Sequence, residues 1–340
     1  MPEPGNTTPH TEDRSGRRPT RQLGRRHLLQ AAAVLTGTGG TSALAAAASS
    51  PPAAARPTGR GRQPTFVIVH GANGNAYSFA PLVAALAEAG HRATAVDLPG
   101  HGSAGNFPRS YQAPQDLAAF AAAPSPVLGN TSLDDNVRHV VRVVRRVARN
   151  GPVILVGHSM GGATITRVGN QVPELIERLV YLSAFCCVRL RSVLDCFLTP
   201  QAASTLLPLI PSVQTPKHLG VSRTNWRSAD PEFIAAAKSA LAADYSDAAF
   251  LAALNTFEPD ESAAVPTNDA RGIPATWGRI PRTYIRYTRD RAIPLALQDR
   301  MIAEADAATP RNRFAIRSVP APHLGPEDPH VLATVLSETL

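Results

Sequence analysis

Four consecutive apolar residues, Val153-Ile154-Leu155-Val156, run into Gly157-His158-Ser159-Met160-Gly161-Gly162, and a helical pattern over 163–172 follows at once. No other feature limits the fold as much. A strand that turns straight into a helix needs one residue in a strained backbone conformation. It also needs small neighbours, because Cβ atoms at 157 and 161 would strike adjacent backbone. The G-x-S-x-G spacing in this strand–turn–helix context lifts the Ser159 hydroxyl clear of a sheet. It sets that hydroxyl at a helix N-terminus, whose free N–H groups favour a developing anion.

The rest of the chain supplies the sheet that such a turn requires. Thr65–Val69 reads as a buried strand, Phe79–Ala89 as a helix stopped by Gly90, and Arg92–Val96 as a second strand. Leu133, Val137, Val140, Val141, Val144 and Val147 give one apolar helical face over 133–150, with Ser132 and Asp135 spaced as a capping box and Gly151 as the stop. A strand over 178–183 follows. The alternation breaks off near residue 190 and resumes with a strand at 283–287, a helix at 295–307, a strand at 313–319 and a helix at 329–340. This order predicts an α/β fold, a mostly parallel sheet with helices on both faces. The Pro-punctuated stretch of about 190–276, helical over 231–242 and 247–255, reads as an inserted helical cap. It would lie over the C-terminal edge of the sheet, where open α/β sheets bind ligands.

A serine hydroxyl is a weak nucleophile until a base takes its proton and an acid orients that base. Asp290, just past the strand at 283–287, and His323, just past the strand at 313–319, lie at the same sheet edge as Ser159, in the chain order nucleophile, acid, histidine. The alternatives fit less well. His330 opens the last helix, His158 sits inside the turn, and His101, His139 and His218 do not follow the last strand. Asp260 and Glu261 belong to the cap and Asp299 to a helix, while Asp290 could instead pair with Arg289 or Arg291. The turn His70-Gly71-Ala72-Asn73-Gly74 after the first strand can aim the Ala72 N–H at an oxyanion, with the Met160 N–H as its partner.

The first 64 residues read as an address and a tether. Arg25-Arg26 precedes an apolar run from Leu28 and small-residue sites such as Ala43-Leu44-Ala45. This predicts a twin-arginine-type signal over 1–48, use of the twin-arginine export machinery, and cleavage between residues 45 and 50. Residues 49–64 read as a disordered Pro/Ala/Arg linker, so the expected location is secreted or extracytoplasmic, with no stable membrane insertion after cleavage. The net charge of +8 suggests nucleic acid, but residues 1–60 hold eight of the 34 basic and only three of the 26 acidic residues. The remainder is nearly balanced and has no basic stripe, so no nucleic-acid partner is expected. An oxidising compartment would allow a disulfide closing to Cys196 or a strained Cys186-Cys187 pair; three buried thiols are the third option. No zinc spacing is present and no cofactor is implied.

Phe66-Val67-Ile68-Val69-His70-Gly71-Ala72, Ala95-Val96-Asp97-Leu98, Val156–Gly162, Gly278–Ile285 and the run from Asp290 to Met301 together resemble α/β-hydrolase-fold serine esterases. The nearest likeness is to the plant methylesterase and hydroxynitrile lyase-like branch and its bacterial esterase relatives. The resemblance implies a Ser159–Asp290–His323 triad, an Ala72/Met160 oxyanion hole and a small-molecule ester substrate. Two departures matter. The lyases of this branch place a lysine directly after the catalytic histidine and a threonine in the first turn, where this chain has Leu324 and Gly71. Cyanohydrin cleavage is therefore not expected. Trp226, Phe197, Leu206 and Leu207 of the cap suggest an apolar pocket or simply the cap's own core. Lactone, thioester, amide or C–C bond hydrolysis and perhydrolysis on the same triad remain open, as does a non-catalytic ligand-binding role.

Overall fold

A computed structural model describes residues 63–340. The signal reading over 1–48 and nearly all of the linker reading lie outside the described residues. In chain order the elements are β1 (Thr65–Val69), α1 (Ala80–Glu88), β2 (Arg92–Val96), α2 (Leu117–Ala122), α3 (Leu133–Val147), β3 (Val153–His158), α4 (Gly161–Gln171) and β4 (Ile176–Leu182). There follow α5 (Val193–Phe197), β5 (Val221–Arg223), α6 (Pro231–Leu241), α7 (Asp247–Leu254), β6 (Asp260–Ser262), β7 (Arg282–Tyr287), α8 (Leu295–Ala308), β8 (Ala315–Val319) and α9 (Pro329–Ser337).

Six strands form one sheet in the order β2-β1-β3-β4-β7-β8, and every neighbouring pair is parallel. The period of two along each strand divides the apolar residues between two cores. Phe66, Ile68, Ile154, Val156, Val180 and Ile285 face one side, where Leu82 and Leu86 of α1 and Leu332 and Leu336 of α9 cover them. Val67, Val69, Leu155, Leu179 and Tyr284 face the other, against Val137, Val140 and Val144 of α3, Ile165 of α4 and Leu297 of α8. Burial on both faces explains why β1 and β3 read as unbroken apolar runs rather than alternating ones. The capping box on α3 is formed, with the Ser132 side chain accepting from the Asp135 N–H and the Asp135 side chain from the Ser132 N–H.

Between β4 and β7 the chain leaves the sheet. Trp226, Phe233, Ala237, Leu241, Phe250 and Leu254 make a third apolar cluster there, built mainly by α6 and α7. A two-stranded antiparallel ribbon, β5 with β6, pairs Arg223 with Asp260 and Val221 with Ser262. The Arg223 guanidinium is fully buried. It grips Asp260 with two parallel bonds, Nε to Oδ1 at 2.5 Å and Nη2 to Oδ2 at 2.7 Å, and its other N–H groups donate to the carbonyls of Phe120, Ala121 and Ala123 at the end of α2. One side chain thus ties the ribbon to the body of the fold. Among the described residues no helix is long and apolar enough to cross a membrane.

Candidate active site

The turn after β3 has the geometry that its glycines anticipate. Ser159 has φ +52°, in the left-handed region. Its carbonyl accepts from the Gly162 and Phe185 N–H groups at 3.1 and 3.0 Å, so the strain is held from both sides. A Cβ on Gly161 would lie 2.5 Å from the His70 carbonyl oxygen and one on Gly71 2.6 Å from the Ser159 Cβ, so only glycine lets the two turns approach this closely. The glycine that stands where the lyases of this branch carry threonine is therefore demanded by local packing. The helical pattern expected from 163 begins at Gly161, because the turn feeds α4 without a break.

Three loops at the C-terminal ends of β3, β7 and β8 bring Ser159, Asp290 and His323 together. Ser159 Oγ lies 3.1 Å from His323 Nε2, and His323 Nδ1 lies 2.7 Å from Asp290 Oδ2. Asp290 is almost fully buried. Burial alone would raise its pKa, but the adjacent His323 charge, the hydrogen bonds from His323 and Ser183 and the Ile293 N–H together hold it below the ordinary carboxylate value. An ionised Asp290 accepts from His323 Nδ1–H, which leaves the Nε2 lone pair directed at the Ser159 hydroxyl. The remaining lone pairs are taken as well. Ser183 Oγ donates to Oδ2 at 2.5 Å, and the Ala292 and Ile293 N–H groups donate to Oδ1 at 2.7 and 2.8 Å.

The competing residues are accounted for elsewhere. Arg289 pairs with Asp244, and Arg291 donates to Ser239 Oγ, so neither engages Asp290. His330 is exposed and faces Glu88 and Asp328, and Asp299 pairs with Arg286. His158 is buried and its Nε2–H donates to the His323 carbonyl at 2.8 Å. Burial, then the nearby His323, push its pKa down to about 3, so it is a neutral anchor for the backbone of the histidine loop. That bond, and the one from Ser183, join residues far apart in the chain, and nothing local in the sequence marks either. Among the described residues neither the Ala72 nor the Met160 N–H takes a protein acceptor, and Ala72 lies in the turn that abuts Ser159. No disulfide forms. Cys186, Cys187 and Cys196 are free and buried, with the sulfurs of Cys187 and Cys196 3.8 Å apart, and burial pushes the Cys186 thiol up to about 12.

Ser159 and His323 open into a cavity of about 740 Å³ whose wall is mostly apolar. Trp226 and Leu207 line it, whereas Leu206 packs within the cap cluster and Phe197 against Phe185. Trp226 and Leu207 therefore serve both wall and cap core, whereas Leu206 and Phe197 serve packing. The small residues Ala249, Ala252 and Ala253 on one face of α7 leave the cavity its width.

Residues 66–335 match the model of the alpha/beta hydrolase family. The chain belongs to this family. Within the family it is similar to a putative chloroplastic methylesterase of Arabidopsis thaliana, 27% identical over 70% of this chain and 55% of the relative, so it spans about half of that protein's length. It is also similar to a pyrethroid hydrolase of Sphingobium wenxiniae, 25% identical over 76% of this chain and 80% of the relative. A third relative is a carbendazim-hydrolysing esterase of a Nocardioides strain, 30% identical over 45% of this chain and 49% of the relative. Among solved structures, polyneuridine aldehyde esterase superposes with a TM-score of 0.59 at 20% identity, covering 82% of this chain and 99% of that one. These likenesses, with the six parallel strands, give this chain the α/β-hydrolase fold.

Proposed function

We propose that this protein is a serine hydrolase that cleaves an apolar carboxylic ester through Ser159, His323 and Asp290. The observation that carries the reading is the continuous chain of contacts from Ser159 Oγ to His323 Nε2 at 3.1 Å and from His323 Nδ1 to Asp290 Oδ2 at 2.7 Å. His323 takes the hydroxyl proton as Ser159 attacks the ester carbonyl. The Ala72 and Met160 N–H groups, the latter at the start of α4, hold the oxyanion that forms. His323 then protonates the departing alcohol, and water repeats the sequence on the acyl-enzyme. Asp290 keeps the imidazole in the tautomer this requires. We place the activity outside the cytoplasm, on the strength of Arg25-Arg26 and the apolar run behind it.

The substrate reading follows from the wall of the cavity. Phe79, Leu207, Trp226, Leu241, Phe257 and Leu332 make most of the wall apolar, so shape and apolar area dominate recognition. The names of the pyrethroid and carbendazim relatives support a substrate bulkier than a methyl ester. Leu324, which packs at the edge of the cap cluster, offers no ammonium to hold a cyanide leaving group. Each buried CH₂ is worth about 0.8 kcal/mol. Lengthening the acyl chain of a p-nitrophenyl ester from two to six carbons should therefore raise kcat/KM by about 200-fold if all four added CH₂ groups are buried, and by at least about 10-fold if half of them are. The matching anilide and mandelonitrile should be cleaved far more slowly, if at all. Preference for the acetate, or anilide turnover as fast as ester turnover, would sink the reading.

A further inference from the structure

Behind the turn at residues 71–74 lies a buried group of charges that the reaction does not consume. The turn closes with the Gly74 N–H donating to the Gly71 carbonyl at 3.3 Å, and Asn73 at its third position has φ +56°, as a type II turn demands. Each peptide plane of the turn is held. The Gly71 carbonyl, which shares a plane with the Ala72 N–H, accepts from His70 Nδ1–H at 2.8 Å. The next plane is held by the Asn73 N–H, which donates to Glu261 Oε2 at 2.9 Å. The Asn73 carbonyl accepts from the Glu258 N–H, and Asn73 Nδ2 donates to the Glu258 carbonyl, both at 2.9 Å. All the contacts from outside the turn except that of His70 come from residues 258–261, which end in the ribbon strand β6.

The protonation states can be read from the partners. His70 Nε2 accepts from the Leu98 N–H at 3.1 Å, so this ring is neutral, with its proton on Nδ1. Burial and the neighbouring His101 hold its pKa at about 4. Both ring nitrogens of His101 face acceptors, the Pro99 carbonyl at 3.2 Å and Glu261 Oε2 at 3.3 Å, the arrangement of an imidazolium. Burial opposes that charge, but Glu261, and then Glu258, outweigh it and raise the His101 pKa. Asp97 accepts from the Ala76 N–H at 2.7 Å. Glu258 Oε1 accepts from Asn75 Nδ2 and the Gly102 N–H, while its Oε2 is buried without a partner. Glu261 differs from its neighbours because both of its oxygens are committed to backbone donors, Oε2 to Asn73 and Oε1 to the Ser262 N–H at 2.9 Å.

We propose that Glu261 is a positioning residue for ester hydrolysis, acting through Asn73 to keep the Ala72 N–H aimed at the oxyanion beside Ser159. This rests on the oxyanion role given to Ala72 above. The contact is made one residue from the donor, at the Ala72–Asn73 plane, and it steadies the Ala72 N–H from the far side of the turn as the His70 bond steadies the plane of that N–H from the near side. The transition state alone carries the full oxyanion charge, so loosening the turn lowers kcat and spares KM. Glu261→Gln is the sharpest change, since the amide must present its NH₂ either to the Asn73 or to the Ser262 N–H. The full chain is titrated with a fluorophosphonate to count reactive Ser159, and kcat and KM for a p-nitrophenyl ester are expressed per labelled site. The expected result is a kcat lower by about 10- to 100-fold with KM within twofold, part of the roughly 10²- to 10³-fold effect of deleting an oxyanion donor. Glu261→Asp, which keeps the charge but withdraws it from Asn73, should move kcat in the same direction. Glu88→Gln, which removes an exposed carboxylate that pairs with His330 away from the turn, should leave kcat per site within about threefold. Unchanged kcat per labelled site in both Glu261 variants, with only a lower melting temperature, would overturn the proposal and leave Glu261 a purely structural residue. A wild-type protein that takes no label would instead count against Ser159 as nucleophile.

Discussion

Asp290→Asn should lower kcat by about 10⁴-fold while the protein stays folded, the loss expected when a histidine base is locked in the wrong tautomer. The orientation of the new amide is dictated by its surroundings. The Ala292 and Ile293 N–H groups both donate to Oδ1, so the asparagine must turn its carbonyl oxygen toward them. Its NH₂ then faces His323 Nδ1 and Ser183 Oγ. The imidazole can accept that N–H only by moving its own proton to Nε2, where it can no longer take the proton of Ser159. KM should change little, because the cavity wall is untouched, and kcat for a p-nitrophenyl ester with circular dichroism on the same sample checks both halves. The depressed pKa of Asp290 also makes its ionised form stabilising. That contribution is present above the ordinary carboxylate pKa and disappears as pH falls through the folded-state value, and the asparagine variant should lack this acid-side loss.

The largest effect on stability is expected at Arg223. Replacing it with methionine removes a guanidinium whose bonds reach Asp260 and three carbonyls of the α2 terminus, and it leaves the Asp260 carboxylate buried and unpaired. Breaking a buried ion pair by deleting one partner costs about 3–5 kcal/mol. Urea unfolding of Arg223→Met should show a loss of that size. The double variant Arg223→Met with Asp260→Leu should recover part of it, because the stranded charge is gone. A loss below about 1 kcal/mol would mean that the ribbon is not anchored as described. Because β6 continues from the residues that hold Asn73, the same variant should also lose activity before it unfolds.

The centre of the sheet was readable because strands such as β1 and β3 are buried on both faces and so appear as apolar runs, closed by Gly71, Gly157 and similar turn signals. The order of Ser159, Asp290 and His323 followed from placing each after a strand. Their convergence needed no knowledge of side-chain packing, only that parallel strands end on one edge. The ribbon β5–β6 gave no such signal. Its six residues include Asp260 and Glu261, which have low strand propensity, and Arg223 and Asp260 neutralise each other across the register. Helix α2 is six residues long and alanine-rich, too short to show a period. The cluster behind the oxyanion turn was hidden for a different reason. His101 and Glu261 are 160 positions apart and Asn73 and Glu261 are 188 apart, and single histidines and glutamates on loops read as solvated until a fold brings them together.

The most direct test is covalent. Purified protein is treated with a fluorophosphonate probe, digested and mapped by mass spectrometry, alongside His323→Ala. One adduct on Ser159 in the wild type and none in the variant is the outcome required by a hydroxyl activated through His323. A folded protein with Ser159 unmodified, or one labelled equally well without His323, would refute the assignment of this site as a serine hydrolase centre.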